Sequence, residues 1–276
     1  MKTALLQLNV SDDPVANLPG TVQMVRQAVD QGAEFVLTPE VTNCLSTSRA
    51  HQAQVLRREP EDETLAALRD VTAECGVHLL IGSLALKTDD PEGRFANRSF
   101  LIGPDGGILG RYDKIHMFDV AISDTETYRE SSGYRPGTQA VLADTAFAPL
   151  GMAICYDMRF PKLSDALVGA GAHILTYPSA FSPVTGAAHW HSLLRARAIE
   201  AGAWVLAPAQ TGTHPGRSDK QRRTYGHSLA VDPWGEVVLD AGTTPGVYVF
   251  DMELDKVAEA RRRIPARDNA RPFDGP

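Results

Sequence analysis

Three residues that can take part in proton transfer or nucleophilic attack each follow a short apolar segment of the chain. Glu40 comes after FVLTP, Lys114 after ILGRYD and Cys155 after PLGMAI. At the ends of strands in α/β folds, the sheet holds a side chain in place while the adjoining loops leave room for a ligand. A Glu or Lys at such a position is more often solvated surface, and a Cys in an apolar segment is more often part of the core.

Cys155 differs from a core cysteine because the polar residues Tyr156, Asp157 and Arg159 follow it at once. Pro161 then favours the first turn of a helix, so the chain changes from strand to helix at the cysteine. A thiol has an ordinary pKa near ~8.5 and needs a base or a positive field to become a nucleophile. The sequence therefore predicts an exposed thiol that depends on a charged neighbour.

Together these side chains are suited to cleaving a carbon–nitrogen bond. Glu40 would take the thiol proton, give it to the departing nitrogen and then activate the water that hydrolyses the thioester. The tetrahedral intermediate carries an oxyanion, for which the Lys114 ammonium and the backbone N–H of Tyr156 are candidate donors. This chemistry requires no metal and no cofactor.

The composition limits the class of protein. The chain has 276 residues, of which 43% are hydrophobic and 22% charged, and its net charge is −7. The acidic excess argues against a nucleic-acid partner, and no apolar segment reaches the ~18 residues of a membrane helix. Gln7 and Asn9 interrupt the apolar start, which favours a first strand over a signal peptide. Three dispersed cysteines fit a reducing cytoplasm better than a disulfide framework.

Short apolar segments alternate with amphipathic ones, a pattern that predicts the α/β class. Strands are predicted at 3–9, 33–38, 77–86, 96–102, 108–112, 148–154, 172–177, 203–208, 226–231, 236–240 and 246–251. Helices are predicted at 17–31, at 62–75, from Pro161 onward and at 187–201. The hairpin segments SFLIGPDGGILG and LAVDPWGEVVL suggest a duplicated unit, although such hairpins are common by themselves. We expect one domain over 1–276, with an extended Arg- and Pro-rich arm from about 262.

The chain resembles the nitrilase, or carbon–nitrogen hydrolase, superfamily over nearly its whole length. It carries Pro39-Glu40 after the second strand, a K-x-H-x-F-D segment in RYDKIHMFDV, and GMAICYDMRFP around the cysteine. The resemblance implies a catalytic triad of Glu40 as base, Lys114 as oxyanion stabiliser and Cys155 as nucleophile. The family has a second glutamate ahead of a Pro-Gly pair, which Glu130 in YRESSGYRPG matches, with Glu126 as the alternative. Its implied role is to position Lys114 or the substrate amide.

The same resemblance implies a four-layer αββα sandwich that forms homodimers through the helices flanking the nucleophile. The segments CYDMRFP, LTYPSAF, TGAAHW, LLRARAIE and VDPWGEV are similar to the Nit branch of the family. YPSAF and TYGHS look closer to deaminated-glutathione amidases than to 2-oxoglutaramate ω-amidases. The expected substrate is therefore a small-molecule amide, deaminated glutathione, with 2-oxoglutaramate or another amide or carbamoyl compound as the alternative.

Several residues near the nucleophile are candidates for substrate binding. Arg159 could hold a carboxylate through two parallel hydrogen bonds, and a structural salt bridge with Asp157 or Glu130 is an equal alternative. Candidate pocket walls follow the strand next to the nucleophile: Ser179, Phe181 and Thr185. A larger leaving group would have room there if the small residues of the same loop line that side: Ser179, Gly186, Ala187 and Ala188.

Two other classes of function remain open at this stage. A Cys–His hydrolase or acyltransferase would use His116, His189 or His227, and the spacing selects none of them. Replacing Glu40 while leaving every histidine intact would distinguish it from the triad. A non-catalytic binding protein on the same scaffold is disfavoured because all four expected polar residues are present.

Overall fold

The computed structural model describes residues 1–122, 126–217 and 221–275, in which strands and helices alternate as the sequence predicts. The strands are β1 (Lys2–Gln7), β2 (Phe35–Leu37), β3 (His78–Leu86), β4 (Ala96–Ile102), β5 (Ile108–Asp113), β6 (Asp119–Ala121), β7 (Thr127–Arg129), β8 (Val141–Ala143), β9 (Leu150–Met152), β10 (Ile174–Thr176), β11 (Trp204–Ala207), β12 (Thr211–Thr213), β13 (Arg223–Tyr225), β14 (Leu229–Val231), β15 (Val237–Asp240) and β16 (Gly246–Asp251). The helices are α1 (Pro14–Asp30), α2 (Arg49–Val55), α3 (Glu63–Cys75), α4 (Pro161–Gly169), α5 (Pro183–Ala201) and α6 (Asp255–Arg263).

The described residues form two six-stranded sheets with matching topology. The first has the order β16-β1-β2-β3-β4-β5 and the second the order β8-β9-β10-β11-β14-β15. In each sheet three parallel strands are bordered by one antiparallel strand on one side and by an antiparallel hairpin on the other. The hairpins β4–β5 and β14–β15 are the two segments with similar turn sequences. The duplication suggested by the sequence is confirmed.

The side chains of each strand alternate between its two faces, and this alternation shows what covers each side of a sheet. In β1, Leu5 packs in the apolar cluster shared with the second sheet, whereas Ala4 and Leu6 pack with Val25 of α1 and Leu68 of α3. Successive side chains of a strand point to opposite faces, so this sheet is covered on both sides. Helices α4 and α5 contact β9 and β11 on the outer face of the second sheet. The predicted four-layer αββα sandwich is therefore confirmed.

Two helices begin earlier than predicted because their first turns contain proline. Helix α1 begins at Pro14, and the Asp13 carboxylate accepts hydrogen bonds from the N–H groups of Val15 and Ala16 at 3.0 and 3.3 Å. Helix α5 begins at Pro183. Proline lacks an N–H that would be unsatisfied at the first helical position anyway, so it suits that position. Apolar periodicity alone does not detect such starts.

The shortest elements were not predicted. They include helix α2 and the strands β6, β7, β8, β12 and β13, the strands each having three residues, too few to show a period. Helix α6 was also missed; it extends into the segment predicted as an arm, and residues 264–275 then contain neither helix nor strand. No helix in the described parts of the chain is long and apolar enough to cross a membrane.

Candidate active site

The three predicted catalytic side chains meet where the loops of the two sheets face each other. Glu40 lies three residues after β2, Lys114 directly follows β5, and Cys155 lies three residues after β9. The first two come from the first sheet and the cysteine from the second. Their exposed fractions are 4%, 2% and 7%, so water is largely excluded from the charges between them. The prediction of an exposed thiol is therefore wrong, because both sheets and their loops cover the turn.

A buried lysine is the centre of the site. The Lys114 Nζ atom donates to Glu40 Oε1 at 2.8 Å and to both carboxylate oxygens of Glu130 at 2.9 Å. The side-chain amide of Asn97 donates to Glu40 Oε1 at 2.8 Å and to Glu130 Oε1 at 3.3 Å. A buried ammonium loses its hydration, and these two carboxylates replace it. Asn97 was missed by the sequence analysis; its only signal was an amide inside an apolar strand.

The second glutamate of the site is Glu130, at the start of a short turn after the β6–β7 hairpin. Its Oε2 atom also accepts the backbone N–H of Phe118 at 2.6 Å. The alternative, Glu126, accepts hydrogen bonds from the hydroxyls of Tyr128 and Ser182, both at 2.9 Å. The structure therefore places Glu130, and not Glu126, against the buried lysine.

The loop that carries Glu40 is held by residues of both sheets. The backbone N–H of Ala180, which follows β10, donates to Glu40 Oε2 at 2.7 Å. The Gln210 side chain donates to the Glu40 carbonyl at 3.1 Å. Val41 has φ of 51°, and its N–H donates to Ser83 Oγ at 2.8 Å. A β-branched residue at positive φ is strained, and these contacts hold the loop in that conformation.

The turn that begins at Cys155 is fixed by a buried carboxylate. Cys155 has φ of 49°, which is uncommon for a residue other than glycine. Asp157 is fully buried and accepts the N–H of Ile154 at 2.9 Å and the Tyr112 hydroxyl at 2.7 Å, while a ring nitrogen of His116 lies 2.7 Å away. Asp157 is thus a positioning residue that sequence analysis did not identify, although an acidic residue at the start of a turn is a known capping signal.

The surroundings of Cys155 favour a glutamate over a histidine as its base. After burial, Glu40 is the largest cause of the raised pKa of the Cys155 thiol. Each of the three histidines considered as alternatives has a different partner: His116 pairs with Asp157, His189 with Arg159 and His227 with Asp240. The geometry therefore supports the triad and not a Cys–His pair.

The charges of the site fix where its protons lie. Burial disfavours the charged form of Glu40, but the Lys114 charge and hydrogen bonds hold the pKa of Glu40 below its ordinary value. Burial also disfavours the ammonium, yet Glu130 and Glu40 hold the pKa of Lys114 well above its ordinary value. Burial and the negative charge of Glu40 raise the pKa of Cys155. The resting site therefore contains a neutral thiol beside a charged glutamate.

Arg159 contacts a phenylalanine ring and a histidine and forms neither of the ion pairs considered for it. Its guanidinium carbon lies 5.7 Å from the centre of the Phe181 ring, and one of its nitrogens lies 3.1 Å from His189 Nδ1. Neither ion pair considered for it, with Asp157 or with Glu130, is present among the described residues. An arginine without a carboxylate partner beside an aromatic ring retains its donors for a ligand.

Two other residues predicted for the site, Tyr156 and Thr185, lie at the start of the turn of the nucleophile and at the start of α5. Tyr156 is the second residue of the turn that begins at Cys155, and N–H groups at such positions lack partners within the helical turn. The Tyr156 N–H therefore stays a predicted oxyanion donor. Thr185 is half-buried near the start of α5.

The small residues after β10 do not supply open space. Ser179 is fully buried, and its hydroxyl donates to the Tyr177 carbonyl at 2.8 Å, so it faces the interior and not a pocket. Gly186 packs against Tyr225, because a Cβ there would lie 2.3 Å from the ring. Ala187 and Ala188 are exposed on α5. Room for a large leaving group must come from another part of the rim.

The fold and these side chains define a hydrolase class. The sequence pattern of the carbon–nitrogen hydrolases matches residues 2–262. The chain belongs to the carbon–nitrogen hydrolase family, as the resemblance implied.

Relatives within this family are named as amidases. The chain is 36% identical to the human omega-amidase NIT2 over 265 residues, which cover 96% of this chain and 92% of that protein. It is 41% identical over 270 residues to the deaminated glutathione amidase of Yersinia enterocolitica, with 97% and 92% covered. This chain is accordingly an amidase of the carbon–nitrogen hydrolase family.

Solved structures show the same fold. The NitFhit protein of C. elegans superposes with a TM-score of 0.89 at 33% identity, covering 98% of this chain and 65% of that longer one. Nit3 of Saccharomyces cerevisiae, a member of branch 10 of the nitrilase superfamily, superposes with a TM-score of 0.83 at 28% identity. The superposition covers 96% of this chain and 94% of the Nit3 chain.

Proposed function

We propose that this amidase hydrolyses the ω-amide bond of deaminated glutathione through a thioester on Cys155. One observation carries the mechanism: the Lys114 ammonium donates to both Glu40 and Glu130, and the charge of Glu40 acts on the pKa of the buried Cys155 thiol beside them. A base, a nucleophile and a cation therefore lie in one buried site. The names of the relatives support the substrate class.

In the first half-reaction, the thiol proton passes to the Glu40 carboxylate as Cys155 Sγ bonds to the amide carbon. The carbonyl electron pair moves to its oxygen, which the Lys114 ammonium and the Tyr156 N–H stabilise. When the carbon–nitrogen bond breaks, the nitrogen leaves with the proton that Glu40 carried. The acyl group stays on the cysteine as a thioester.

In the second half-reaction, water attacks the thioester carbon while Glu40 takes a proton from it. The same two donors stabilise the second oxyanion. Collapse of this intermediate breaks the carbon–sulfur bond, and the proton on Glu40 returns to the Cys155 sulfur. The product is a carboxylic acid, which releases its proton to water, and the enzyme regains its starting protonation.

The second candidate substrate is 2-oxoglutaramate, because the human relative at 36% identity is named an omega-amidase. Both candidates carry an α-keto acid that Arg159 would hold. They differ at the amide nitrogen, which bears a Cys-Gly dipeptide in deaminated glutathione and only hydrogens in 2-oxoglutaramate.

The test is to measure kcat/KM for both substrates with the purified enzyme and with Cys155→Ala. We expect a higher kcat/KM for deaminated glutathione, and no turnover of either substrate by Cys155→Ala. Cys75→Ala is the matched control, because this half-buried cysteine lies at the end of α3, and it should retain most activity. A preference for 2-oxoglutaramate would refute the substrate, and an active Cys155→Ala variant would refute the mechanism.

We also propose that the chain forms a homodimer through the surface around the end of α5. A groove of about 430 Å³ lies there between α5, the β14–β15 turn and α6. Three large apolar side chains beside it are exposed: Ile199 by 53%, Trp234 by 46% and Ile264 by 58%. Apolar groups clustered on a surface support a protein interface.

Light scattering after size exclusion tests the dimer. We expect Ile199→Arg to lower the mass from dimer to monomer, since a charge would be buried in the contact. Val15→Arg is the control, because Val15 is 71% exposed on α1, in the opposite outer layer. A monomeric wild-type protein, or a dimer that survives Ile199→Arg, would contradict the proposal.

We further propose that the protein works in the cytoplasm. The three cysteines are all unpaired, and a thiol nucleophile needs a reducing compartment.

A further inference from the structure

Arg222 is a second guanidinium near the catalytic carboxylate that the reaction mechanism does not use. One of its nitrogens donates to the Ala180 carbonyl at 3.1 Å. The N–H of the same Ala180 donates to Glu40 Oε2 at 2.7 Å. Two hydrogen bonds and a single residue therefore separate Arg222 from the base of the site.

The guanidinium is held in a defined plane. Its carbon lies 4.5 Å from the centre of the Tyr128 ring. That ring packs on Phe118 at 5.0 Å, and Phe118 packs on Tyr156, the neighbour of the nucleophile, at 5.1 Å. A continuous set of aromatic rings thus links Arg222 to the turn that carries Cys155. An arginine stacked on a ring loses little further freedom when it binds a ligand.

Arg222 also has no anionic partner in the part of the chain that the structure describes. Among the described residues, no carboxylate forms an ion pair with Arg222 or with Arg159, although the chain carries seven more acidic than basic charges. Both arginines lie against neighbouring residues of one segment, Arg222 at Ala180 and Arg159 at Phe181. Two cations beside the same two-residue segment, neither with an anionic partner among the described residues, suit a ligand with two anionic ends.

The mechanism assigns a side of the substrate to each arginine. Arg159 belongs to the turn that starts at Cys155, which bonds to the acyl carbon. Glu40 gives its proton to the leaving nitrogen, so the groups on that nitrogen extend past Glu40 toward Ala180 and Arg222. A Cys-Gly leaving group is two residues long and spans at most about 7 Å when extended.

We propose that Arg222 binds a carboxylate at the far end of the amine leaving group and thereby selects dipeptide amides over primary amides. This assignment rests on the proposed function and deepens it. Deaminated glutathione has such a carboxylate on its glycine, whereas 2-oxoglutaramate has no group on that side. Arg222 is thus a specificity-determining residue for the leaving group.

The test uses three substrates that share the keto acid: deaminated glutathione, its C-terminal carboxamide and 2-oxoglutaramate. A charge-assisted hydrogen bond lost from a binding site typically costs a factor of about 10 to 100. We expect Arg222→Gln to lower kcat/KM for deaminated glutathione by about that factor. The carboxamide should be a correspondingly poor substrate for the wild type, and 2-oxoglutaramate turnover should be unchanged by Arg222→Gln.

Two further variants sharpen the result. Arg222→Lys keeps the charge and should restore part of the activity on deaminated glutathione. Arg223→Gln removes the same charge from the exposed neighbour on β13, whose side chain points to the other face, and should have no effect.

Each contrary outcome has a distinct meaning. If Arg222→Gln reduces turnover of all three substrates equally, Arg222 only supports Ala180 and Glu40, and the assignment is overturned. If the wild type does not distinguish the acid from its carboxamide, the assignment is overturned while the proposed function stands. If the wild type hydrolyses none of the three, the proposed function fails and this assignment fails with it.

Discussion

At the scale of single residues, the transfer of the Cys155 thiol proton to Glu40 is unfavourable in the resting site. The pKa of Cys155 is raised by burial and by Glu40, and the pKa of Glu40 is lowered by its contacts with Lys114. The resting enzyme is therefore not a thiolate with a protonated base. Proton transfer becomes favourable only as negative charge moves from sulfur to the substrate oxygen beside Lys114. This protects the thiol until an amide is bound.

We predict different roles for the two glutamates. Glu40→Gln removes the proton acceptor and should slow alkylation of Cys155 by iodoacetamide at least 100-fold, as loss of a general base does. Glu130→Gln should leave alkylation within a few fold of wild type but impair turnover, because Lys114 loses its second carboxylate. Alkylation is measured by mass spectrometry in a Cys75→Ala background.

The two variants control for each other, since each replaces a carboxylate bonded to Lys114 by an amide of the same size. Of the two, Glu40 has the larger effect on the pKa of the Cys155 thiol. Equal loss of alkylation in both would show that the two carboxylates merely hold the lysine.

At the scale of elements, the position of Glu40 depends on how closely β3 approaches the end of β2. Gly82 lies where the pairing of β3 with β4 shifts register, and its N–H donates to Thr38 Oγ1 at 3.0 Å. A Cβ on Gly82 would lie 2.0 Å from the Thr38 carbonyl oxygen and 2.5 Å from that of Pro39. Backbone atoms cannot move aside as a flexible side chain can. Only glycine therefore allows the loop of the base to lie against the strand.

We predict that Gly82→Ala displaces this loop and lowers the free energy of unfolding by about 3 kcal/mol, the upper range for overpacking. Gly20→Ala is the matched control, because Gly20 lies in α1 with nothing within 4 Å of an added Cβ. It should stabilise the protein by about 0.5–1 kcal/mol. Thermal unfolding and turnover of both variants provide the comparison; unchanged stability and activity in Gly82→Ala would show that the approach is not needed.

At the scale of the whole molecule, each half of the duplicated fold supplies part of the site. Glu40 and Lys114 come from the first sheet, and Cys155 and Ala180 from the second. A side chain outside the catalytic triad also joins the halves: His214 Nδ1 contacts the Val10 carbonyl at 2.7 Å. Small displacements between the sheets would separate the base from its nucleophile. The contacts between the halves therefore protect activity as well as stability.

His214 makes the stability of the contact between the two halves of the fold depend on pH. Burial lowers the pKa of His214 from 6.5 to about 4 despite its hydrogen bond to Val10, and the charge of Arg222 acts in the same direction as burial. Between these two values the unfolded chain binds more protons than the folded one, so the free energy of unfolding falls as pH falls from about 6.5 to about 4. The loss is on the order of 3 kcal/mol.

We predict that His214→Asn removes this part of the pH dependence, which urea unfolding at pH 7 and at pH 4.5 measures. The variant is expected to be less stable than wild type at pH 7 but to lose less on acidification. His189→Asn, at an exposed position on α5, should leave the wild-type pH dependence intact. A wild-type slope in His214→Asn would assign the acid sensitivity to other groups.

Local sequence was sufficient for much of this protein. Strands β4 and β16 were predicted with the bounds they have, because alternation and turn residues are properties of a few neighbouring positions. The motifs around Glu40, Lys114 and Cys155 were equally local, and they indicated the family that the comparisons show. Lys114 directly follows its strand, and Glu40 and Cys155 each lie three residues after theirs, so the identity of these residues and their place at the edge of a sheet were both readable from the chain.

The partners of these residues were decided only by the tertiary structure. Lys114 and Glu40 are 74 positions apart, and Ala180 and Glu40 are 140 apart. Asn97, which bonds to Glu40, and Asp157, which fixes the nucleophile turn, have no local signal that names their partners. Such contacts form when two sheets pack face to face, and their geometry depends on strand register and sheet separation. A linear pattern records which residues a site contains, but the packing of the layers determines which of them touch.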